Sequence, residues 1–296
     1  MTTAVVGAGP AGVIAATLLA IRGEDVTLID ENPVAGGHLT YDKYDTVDYK
    51  TGSTIWLTEL RSALDKSGAA FLASAIVWAA FPANGAVDLA INLAGVEQTV
   101  RADQLVLAAG TTDLPLIAPG ATLPGVMTSR AIRILLNRHG VIPGQQYVVV
   151  GGGSEADRMR RELELAECEV TAVVGPEEVA ALAGKGSVES VRSRDGVSHA
   201  ADVVVVAMGE VPDLQLAGML EMPRQYDLQL RGWRVSPDGE SIGVHVVGGS
   251  LLGPATTAEV VRSAVAVADR ICPAGAGLRE AGLAISAEVL GTEAVR

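Results

Sequence analysis

Residues 3–37 read TAVVGAGPAGVIAATLLAIRGEDVTLIDENPVAGG, and this stretch decides the fold. A β-prone run over residues 4–6 leads into a glycine-rich loop over residues 7–12, and an apolar helical pattern follows the loop. A second β-prone run over residues 26–29 then ends in Asp30. This order of strand, glycine loop, helix, strand and acid is typical of a βαβ unit that binds a dinucleotide.

The glycine loop has the GxGxxG spacing, and each glycine has a separate task. Gly7 permits the tight turn, Gly9 leaves room for a pyrophosphate, and Gly12 lets the helix lie close to the strand. Asp30 stands 23 positions after Gly7, where a carboxylate accepts hydrogen bonds from ribose hydroxyls. Glycines that serve packing alone would leave Asp30 unexplained. We therefore predict a dinucleotide site formed by Gly7, Gly9, Pro10, Ala11, Gly12 and Asp30.

The same pattern recurs in the middle of the chain. A strand over residues 147–150 precedes the loop GGGSEA at 151–156, a helix over 158–167 and a strand over 169–174. Position 174, again 23 past the first glycine, is valine, so the ribose carboxylate is missing. The second unit has therefore lost nicotinamide dinucleotide binding or binds something else, and its loop residues are Gly151, Gly153 and Ala156.

The remaining patterns complete an α/β fold of two interleaved Rossmann-like dinucleotide-binding domains with a small antiparallel β meander. We predict the first domain over residues 1–114 and 238–296 and the second over 115–237. No element is predicted for residues 177–198. The further predictions are a helix over 55–64, meander strands over 75–80, 87–93 and 97–100, buried strands over 105–110 and 201–209, a helix from an N-cap at Ser129 to Gly140, a turn at 237–239 and a helix over 257–271.

Composition excludes several classes of function. A formal charge of -13 argues against nucleic acids and anionic membranes as partners. The apolar run over residues 13–21 lacks a basic flank and a cleavage site, and no apolar segment reaches the ~18 residues of a membrane span, so we expect a cytoplasmic protein. The two cysteines, Cys168 and Cys272, are far apart and are predicted to be packing residues, and no metal site is predicted.

Three motifs carry a resemblance to a known group. The GAGPAG loop with Asp30, the segment DENPVAGG at 30–37 and the strand end LVLAAG at 105–110 resemble the two-dinucleotide-binding-domain flavoproteins related to the pyridine nucleotide-disulfide reductases. The segment LPGVM at 123–127 and the run VVVGGG at 148–153 are similar to the flavin-bearing subunits of hydrogen cyanide synthase, opine oxidase and proline or hydroxyproline dehydrogenases. The resemblance implies FAD at the first site and NAD(P) as the candidate ligand of the second. It adds these cofactor contacts: Glu31, Gly36, Gly37, Ala109, Gly110, Gly248 and Gly249.

The chain departs from that group in three respects. It has no CxxC pair, which excludes disulfide reduction. The C-terminal flavin motif of the group ends in Gly-Asp, whereas Gly249 follows Gly248 here, and this weakens the case for tight FAD binding. The segment after the second βαβ unit is also shorter than in the group.

The preferred hypothesis is an FAD-dependent oxidoreductase, acting as a subunit of a heteromeric amine or amino-acid dehydrogenase of the opine or proline type. Its partners would be the other subunits and an amine substrate. His38, the titratable ring beside Gly37, is the catalytic candidate, and the alternative is an ordinary histidine of a surface loop. Two other functions stay open. One is a non-catalytic subunit that binds a nucleotide or serves as a scaffold, and the other is a free-standing NAD(P)H-dependent flavin reductase.

Overall fold

A computed structural model describes residues 1–42, 53–236 and 243–273, without the side chains of residues 53–55. The chain forms two compact units. Residues 1–112 and 211–296 make the first unit, and residues 113–210 make the second. The fold class is confirmed, since each unit is built on a parallel sheet.

The first unit begins with ten elements. They are β1 (Thr2–Val6), α1 (Pro10–Ile21), β2 (Asp25–Ile29), α2 (Ser53–Ser67), β3 (Ala70–Leu72), β4 (Ala75–Ala83), β5 (Ala86–Leu93), β6 (Val96–Ala102), β7 (Gln104–Leu107) and β8 (Thr111–Asp113). A 3₁₀ helix, Gly37–Thr40, lies between β2 and α2.

The second unit follows, and then the chain returns to the first. The second unit contains β9 (Val126–Thr128), α3 (Ser129–Arg133), a π-helical stretch (Ile134–His139), β10 (Gln146–Gly151), α4 (Gly153–Leu165), β11 (Glu169–Val174), β12 (Val179–Ala183), β13 (Ser190–Ser193), β14 (Ser198–Ala200) and β15 (Val203–Ala207). The return consists of β16 (Glu210–Pro212), α5 (Gln215–Met219), β17 (Arg224–Asp227), β18 (Gly232–Val235), β19 (Val244–Val246), α6 (Gly249–Leu252) and α7 (Thr257–Ile271).

The parallel sheet of the first unit has the order β19-β7-β1-β2-β3. Its central strands are continuous runs of apolar residues because both faces are covered. Val5 and Val106 face a core shared with helices α1, α2 and α7. Val6 and Leu107 face a second core, shared with the antiparallel meander β4-β5-β6.

The segment after residue 210 corrects the predicted domain boundary. Residues 211–237 were assigned to the second domain, but they belong to the first unit. The reason is hydrophobic, because Ala217, Met222 and Val235 are buried in the same core as Val6. The chain first passes from the first unit to the second between residues 112 and 113, close to the predicted domain boundary after residue 114.

The second unit repeats the parallel sheet, with the order β11-β10-β15-β9. Helices α3 and α4 pack on one face through Ile132, Met159 and Leu163. The opposite face is covered by the antiparallel sheet β12-β13-β14. Sequence analysis missed these three strands because they are short and few of their residues, such as Val191, are buried.

Most predicted elements are confirmed, and α7 has the predicted bounds. The N-cap assignment at Ser129 is wrong, because Thr128 caps α3 by accepting a hydrogen bond from the Ala131 N–H at 3.3 Å. The predicted helix also changes to π-helical hydrogen bonding before it ends at Gly140. The predicted turn at 237–239 lies outside the described residues.

The described residues contain neither a membrane-spanning helix nor a cluster of metal ligands. Within residues 1–42, 53–236 and 243–273, no helix has the length and apolar character of a membrane span. In that same part of the chain, no three His, Cys, Asp or Glu residues are grouped so that they could hold a metal ion.

The burial of one histidine side chain, His245, makes the stability of the protein depend on pH. His245 on β19 is 8% exposed, its Nε2 lies 3.0 Å from Gln104 Oε1, and burial lowers its pKa below the ordinary 6.5. Below about pH 6.5 the unfolded chain therefore binds a proton that the folded chain binds only at lower pH. We expect the free energy of unfolding to fall as the pH decreases below 6.5, by up to about 1.4 kcal/mol per pH unit from this proton.

Urea unfolding at several pH values checks this expectation. His245→Gln should flatten the curve in this range. His199→Gln, on β14 of the second unit, is the control for the loss of a histidine elsewhere in the chain. An equal flattening by both variants would contradict the assignment to His245.

Candidate functional site

The carboxyl edge of the first sheet brings the predicted site residues together. Strands β1, β2, β7 and β19 are parallel neighbours, so the loops that follow them lie at one edge. These loops are residues 7–9, 30–37, 108–110 and 247–248, with α6 beginning at 249. In open parallel sheets this edge is where ligands bind.

Two glycines of the first loop are required by close backbone approach. At Gly7, φ is +104° and an added Cβ would overlap the carbonyl oxygen of Ala108. At Gly12, an added Cβ would overlap the carbonyl oxygen of Gly7. These two glycines let α1 start directly against β1 and β7, as the sequence analysis predicted for Gly12.

Gly9 differs from both, because nothing lies within 4 Å of the position its Cβ would take. It is the N-cap of α1, with no side-chain cap, Pro10 at the start of the helix and no acidic residue in the first turn. The first N–H groups of a helix lack intrahelical acceptors, and the helix dipole makes this end positive. The cradle at Gly9 therefore fits a pyrophosphate.

Asp30 ties the end of β2 to the glycine loop. Its Oδ2 accepts a hydrogen bond from the Ala8 N–H at 2.5 Å, and its Oδ1 accepts from the backbone and side-chain nitrogens of Asn32 at 2.8 and 3.0 Å. A carboxylate has about four acceptor positions, so it can accept ribose hydroxyls as well. Glu31, the neighbouring predicted contact, is exposed to solvent.

The Gly36-Gly37 turn packs directly on the glycine loop. The Gly36 N–H donates to the carbonyl of Ala8 at 2.7 Å, and a Cβ on Gly37 would lie 2.8 Å from Cα of Gly9. His38 follows at once in the 3₁₀ helix. Its side chain is 40% exposed, and Nε2 lies 3.9 Å from Oδ2 of the buried Asp42. His38, the one predicted catalytic residue, thus lies in the loop that packs beside Gly9.

The C-terminal motif reaches the same edge through a residue that sequence analysis missed. Ser250 is 1% exposed, and its Oγ accepts from the Gly110 N–H at 2.8 Å and donates to the Gly110 carbonyl at 3.3 Å. Gly248 also packs against the first helix, because a Cβ on Gly248 would lie 2.5 Å from Cβ of Ala11. Ala109, another predicted cofactor contact, is exposed to solvent. The sequence feature that could have identified Ser250 is a polar residue directly after a glycine pair, between a strand and a helix.

Gly249 is the point where the site departs from the flavoprotein motif. A Cβ at this position would lie 2.9 Å from Cγ2 of Thr111 and 3.1 Å from the carbonyl carbon of Gly110. An aspartate here would have to displace both groups. The cradle at Gly9 and the carboxylate of Asp30 fit the adenosine diphosphate part of FAD. The C-terminal motif has no carboxylate at position 249, and the buried Ser250 that follows is hydrogen-bonded to the backbone of Gly110.

The second loop is also rich in glycine, but its side chains differ from those of the first. An added Cβ at Gly151 would overlap the carbonyl oxygen of Ala207, while Gly152 and Gly153 face open space and Ala156 is buried. Val174, at the end of β11, is 2% exposed, so an apolar side chain fills the place of the ribose carboxylate. The first turn of α4 also carries an acid, Glu155. The glycines fit a dinucleotide, and the two side chains do not.

Two parallel sheets, each with a glycine loop after the first strand of a βαβ unit, define a protein with two dinucleotide-binding folds. A family model described as pyridine nucleotide-disulphide oxidoreductase matches residues 1–175. The chain belongs to this family, and membership implies FAD at the first site.

Named relatives cover part of the chain. The A subunit of opine oxidase from Agrobacterium tumefaciens (strain Ach5) is 34% identical over 158 residues, which are 50% of this chain and 31% of the relative. The alpha subunit of sarcosine oxidase from Rhizobium meliloti (strain 1021) is 32% identical over 200 residues, which are 64% of this chain and 20% of the relative. The chain thus spans less than a third of the length of either relative.

A solved structure shares the fold over almost the whole chain. The L-proline dehydrogenase from P. horikoshii superposes with a TM-score of 0.80 at 21% identity, covering 98% of this chain and 58% of that chain. At this identity the likeness concerns the fold.

The contrast between Gly12 and Gly9 can be measured. We expect Gly12→Ala to lower the free energy of unfolding by about 1–3 kcal/mol, because the new methyl group overlaps backbone that cannot move freely. Gly9→Ala, in the same loop, meets open space and should change stability by less than about 0.5 kcal/mol. Chemical unfolding of the three proteins checks this, and equal losses in both variants would contradict the assigned contacts.

Proposed function

We propose that the chain is the FAD-binding oxidoreductase subunit of a heteromeric amine or amino-acid dehydrogenase. The observation that carries the proposal is the first site, where an open cradle at Gly9, a helix N-terminus free of acids and the Asp30 carboxylate lie together in a member of this family. Each part matches one part of an adenine dinucleotide, in the order that the fold requires.

The chain's own residues have separate tasks in this proposal. When bound, FAD supplies reversible uptake and release of electrons, and the protein supplies position and electrostatics. The N-terminus of α1 holds the pyrophosphate, and Asp30 accepts the ribose hydroxyls. The Gly36-Gly37 turn shields the cradle from one side. His38, with Asp42 near its Nε2, can hold or release a proton beside that turn.

The proposal that the chain works in a complex rests on the relatives. Two of them are named as subunits of opine oxidase and sarcosine oxidase, and the structural neighbour is named an L-proline dehydrogenase. Opines, sarcosine and proline all carry an amine, which makes an amine the substrate class proposed here.

Disulfide reduction, which the family name also includes, is not proposed. That chemistry needs two cysteines close together, and the sequence has no CxxC. The two cysteines that are present, Cys168 and Cys272, are free thiols, and burial raises the pKa of Cys168. A thiol with a raised pKa is a poor nucleophile.

One observation favours a second candidate, a non-catalytic subunit that binds a nucleotide or serves as a scaffold. Gly249 and its tight contacts with residues 110 and 111 leave the flavin end of the site without the usual carboxylate. The two candidates can be distinguished by the absorption spectrum of the purified protein, because a flavoprotein absorbs in the visible range and an empty scaffold does not.

The purified chain should therefore show flavin absorption, either as isolated or after addition of FAD. Gly9→Glu should abolish it, because the new carboxylate would occupy the pyrophosphate cradle. Gly152→Glu is the matched control, since it makes the same change at an N-cap that also faces open space, in the second unit. Its flavin content should be unchanged. A colourless wild-type chain that takes up no FAD would favour the scaffold.

The role of His38 is tested in the complex with its partner subunits. His38→Ala should slow the bleaching of flavin absorbance by the amine substrate while the flavin content stays constant. His38→Gln keeps a polar side chain without a titratable ring, so it should be slow as well and should lose the pH dependence of the rate. A wild-type rate in both variants would assign His38 to the loop surface alone.

A further inference from the structure

We infer that the second unit does not take up a pyridine nucleotide, because Glu155 supplies at its glycine loop the negative charge that a pyrophosphate would bring. This inference concerns the second loop alone and does not depend on FAD at the first.

The position of the Glu155 carboxylate follows from the topology of the second sheet. Glu155 lies in the first turn of α4, just after β10, and its Oε1 accepts a hydrogen bond from Ser129 Oγ at 2.8 Å. Ser129 follows β9 directly. Since the order is β11-β10-β15-β9, this hydrogen bond joins the strands on either side of β15 and spans its carboxyl end.

That place is the ligand crevice of a doubly wound sheet. From β10 the chain runs through α4 to β11 on one side, and β15 lies on the other, so the strand order reverses between β10 and β15. Dinucleotides bind in the crevice at such a reversal, with the pyrophosphate at the N-terminus of the helix after the glycine loop. The Glu155 carboxylate stands at this helix end, where a negative charge is already stabilised by the dipole.

The neighbouring arginines do not offset the negative charge of Glu155. Arg130 follows Ser129, and its guanidinium contacts Glu210 at 3.1 Å and Asp113 at 3.8 Å. Farther along α4, Arg158 contacts the buried Glu162 at 3.0 Å. These cations are engaged by carboxylates, so the edge presents more acid than base to an incoming phosphate.

The second unit also lacks the carboxylate that would bind the ribose of a nucleotide. At the first site Asp30 ends β2 with a carboxylate, whereas the matching Val174 is 2% exposed. A nucleotide at the second loop would lose the ribose hydrogen bonds and would also bring its phosphates against Glu155. These observations count against the free-standing NAD(P)H-dependent flavin reductase, which needs a working second site.

The test measures nucleotide binding by NADH and NADPH fluorescence and by calorimetry with ADP, and it needs no flavin. All variants carry Gly9→Glu, so that the first loop cannot bind the probe. In this background we expect no binding up to millimolar nucleotide. Glu155→Gln, which keeps the shape and an acceptor for Ser129, should raise the affinity by about tenfold or more, and adding Gly152→Glu should abolish the gain.

Glu164→Gln is the control on the same helix, since Glu164 is exposed and pairs with Arg160. It should leave binding undetectable, and circular dichroism of each variant shows whether the fold is kept. Micromolar binding of NADH or NADPH in the Gly9→Glu background, lost on adding Gly152→Glu, would overturn the inference. Failure of Glu155→Gln to raise the affinity for any of the three nucleotides would overturn the role assigned to Glu155.

Discussion

The first site depends on how closely helix α1 approaches the two central strands of its sheet. Gly7 and Gly12 have no side chains, and their backbones lie against Ala108 and against each other, where any Cβ would overlap. This approach brings the positive end of α1 to the carboxyl edge of the sheet, beside the ends of β2 and β7. The cradle at Gly9, the hydrogen bond from Ala8 to Asp30 and the packing of Gly37 on Gly9 all follow from that placement.

The two units place their carboxylates at different positions of a βαβ unit. Both loops start a helix at a glycine N-cap that faces open space. In the first unit the initial helical turn has no acid, and a carboxylate stands at the end of the second strand. In the second unit the acid has the other position, in the helical turn, and a buried valine ends the strand. In the functions proposed above, the carboxylate of the first unit accepts ribose hydroxyls and the carboxylate of the second repels phosphate.

Much of the fold was readable because its signals are local. The continuous apolar strands and the final helix each depend on a few neighbouring residues, and they appear as predicted. The failures came from contacts distant in sequence. The segment after residue 210 was misassigned because the burial of Ala217, Met222 and Val235 in the core of Val6 leaves no local signal in the sequence. Strands β12–β14 were missed because they are short and few of their residues are buried. The cap of α3 was misplaced by one residue because both Thr128 and Ser129 suit the position, and Ser129 instead bonds Glu155.

The sequence by itself determined the βαβ units, the spacing of the glycines and the acid at position 30, since all of these follow from short-range order along the chain. Only the tertiary structure decided what those residues meet. Ser250 holds Gly110 across 140 positions of sequence, Gly249 leaves no room for the usual carboxylate, and Glu155 lies across the end of β15. The physical reason is that a site charge acts through distance in space, and those distances are fixed by the packing of strands that are far apart in the chain.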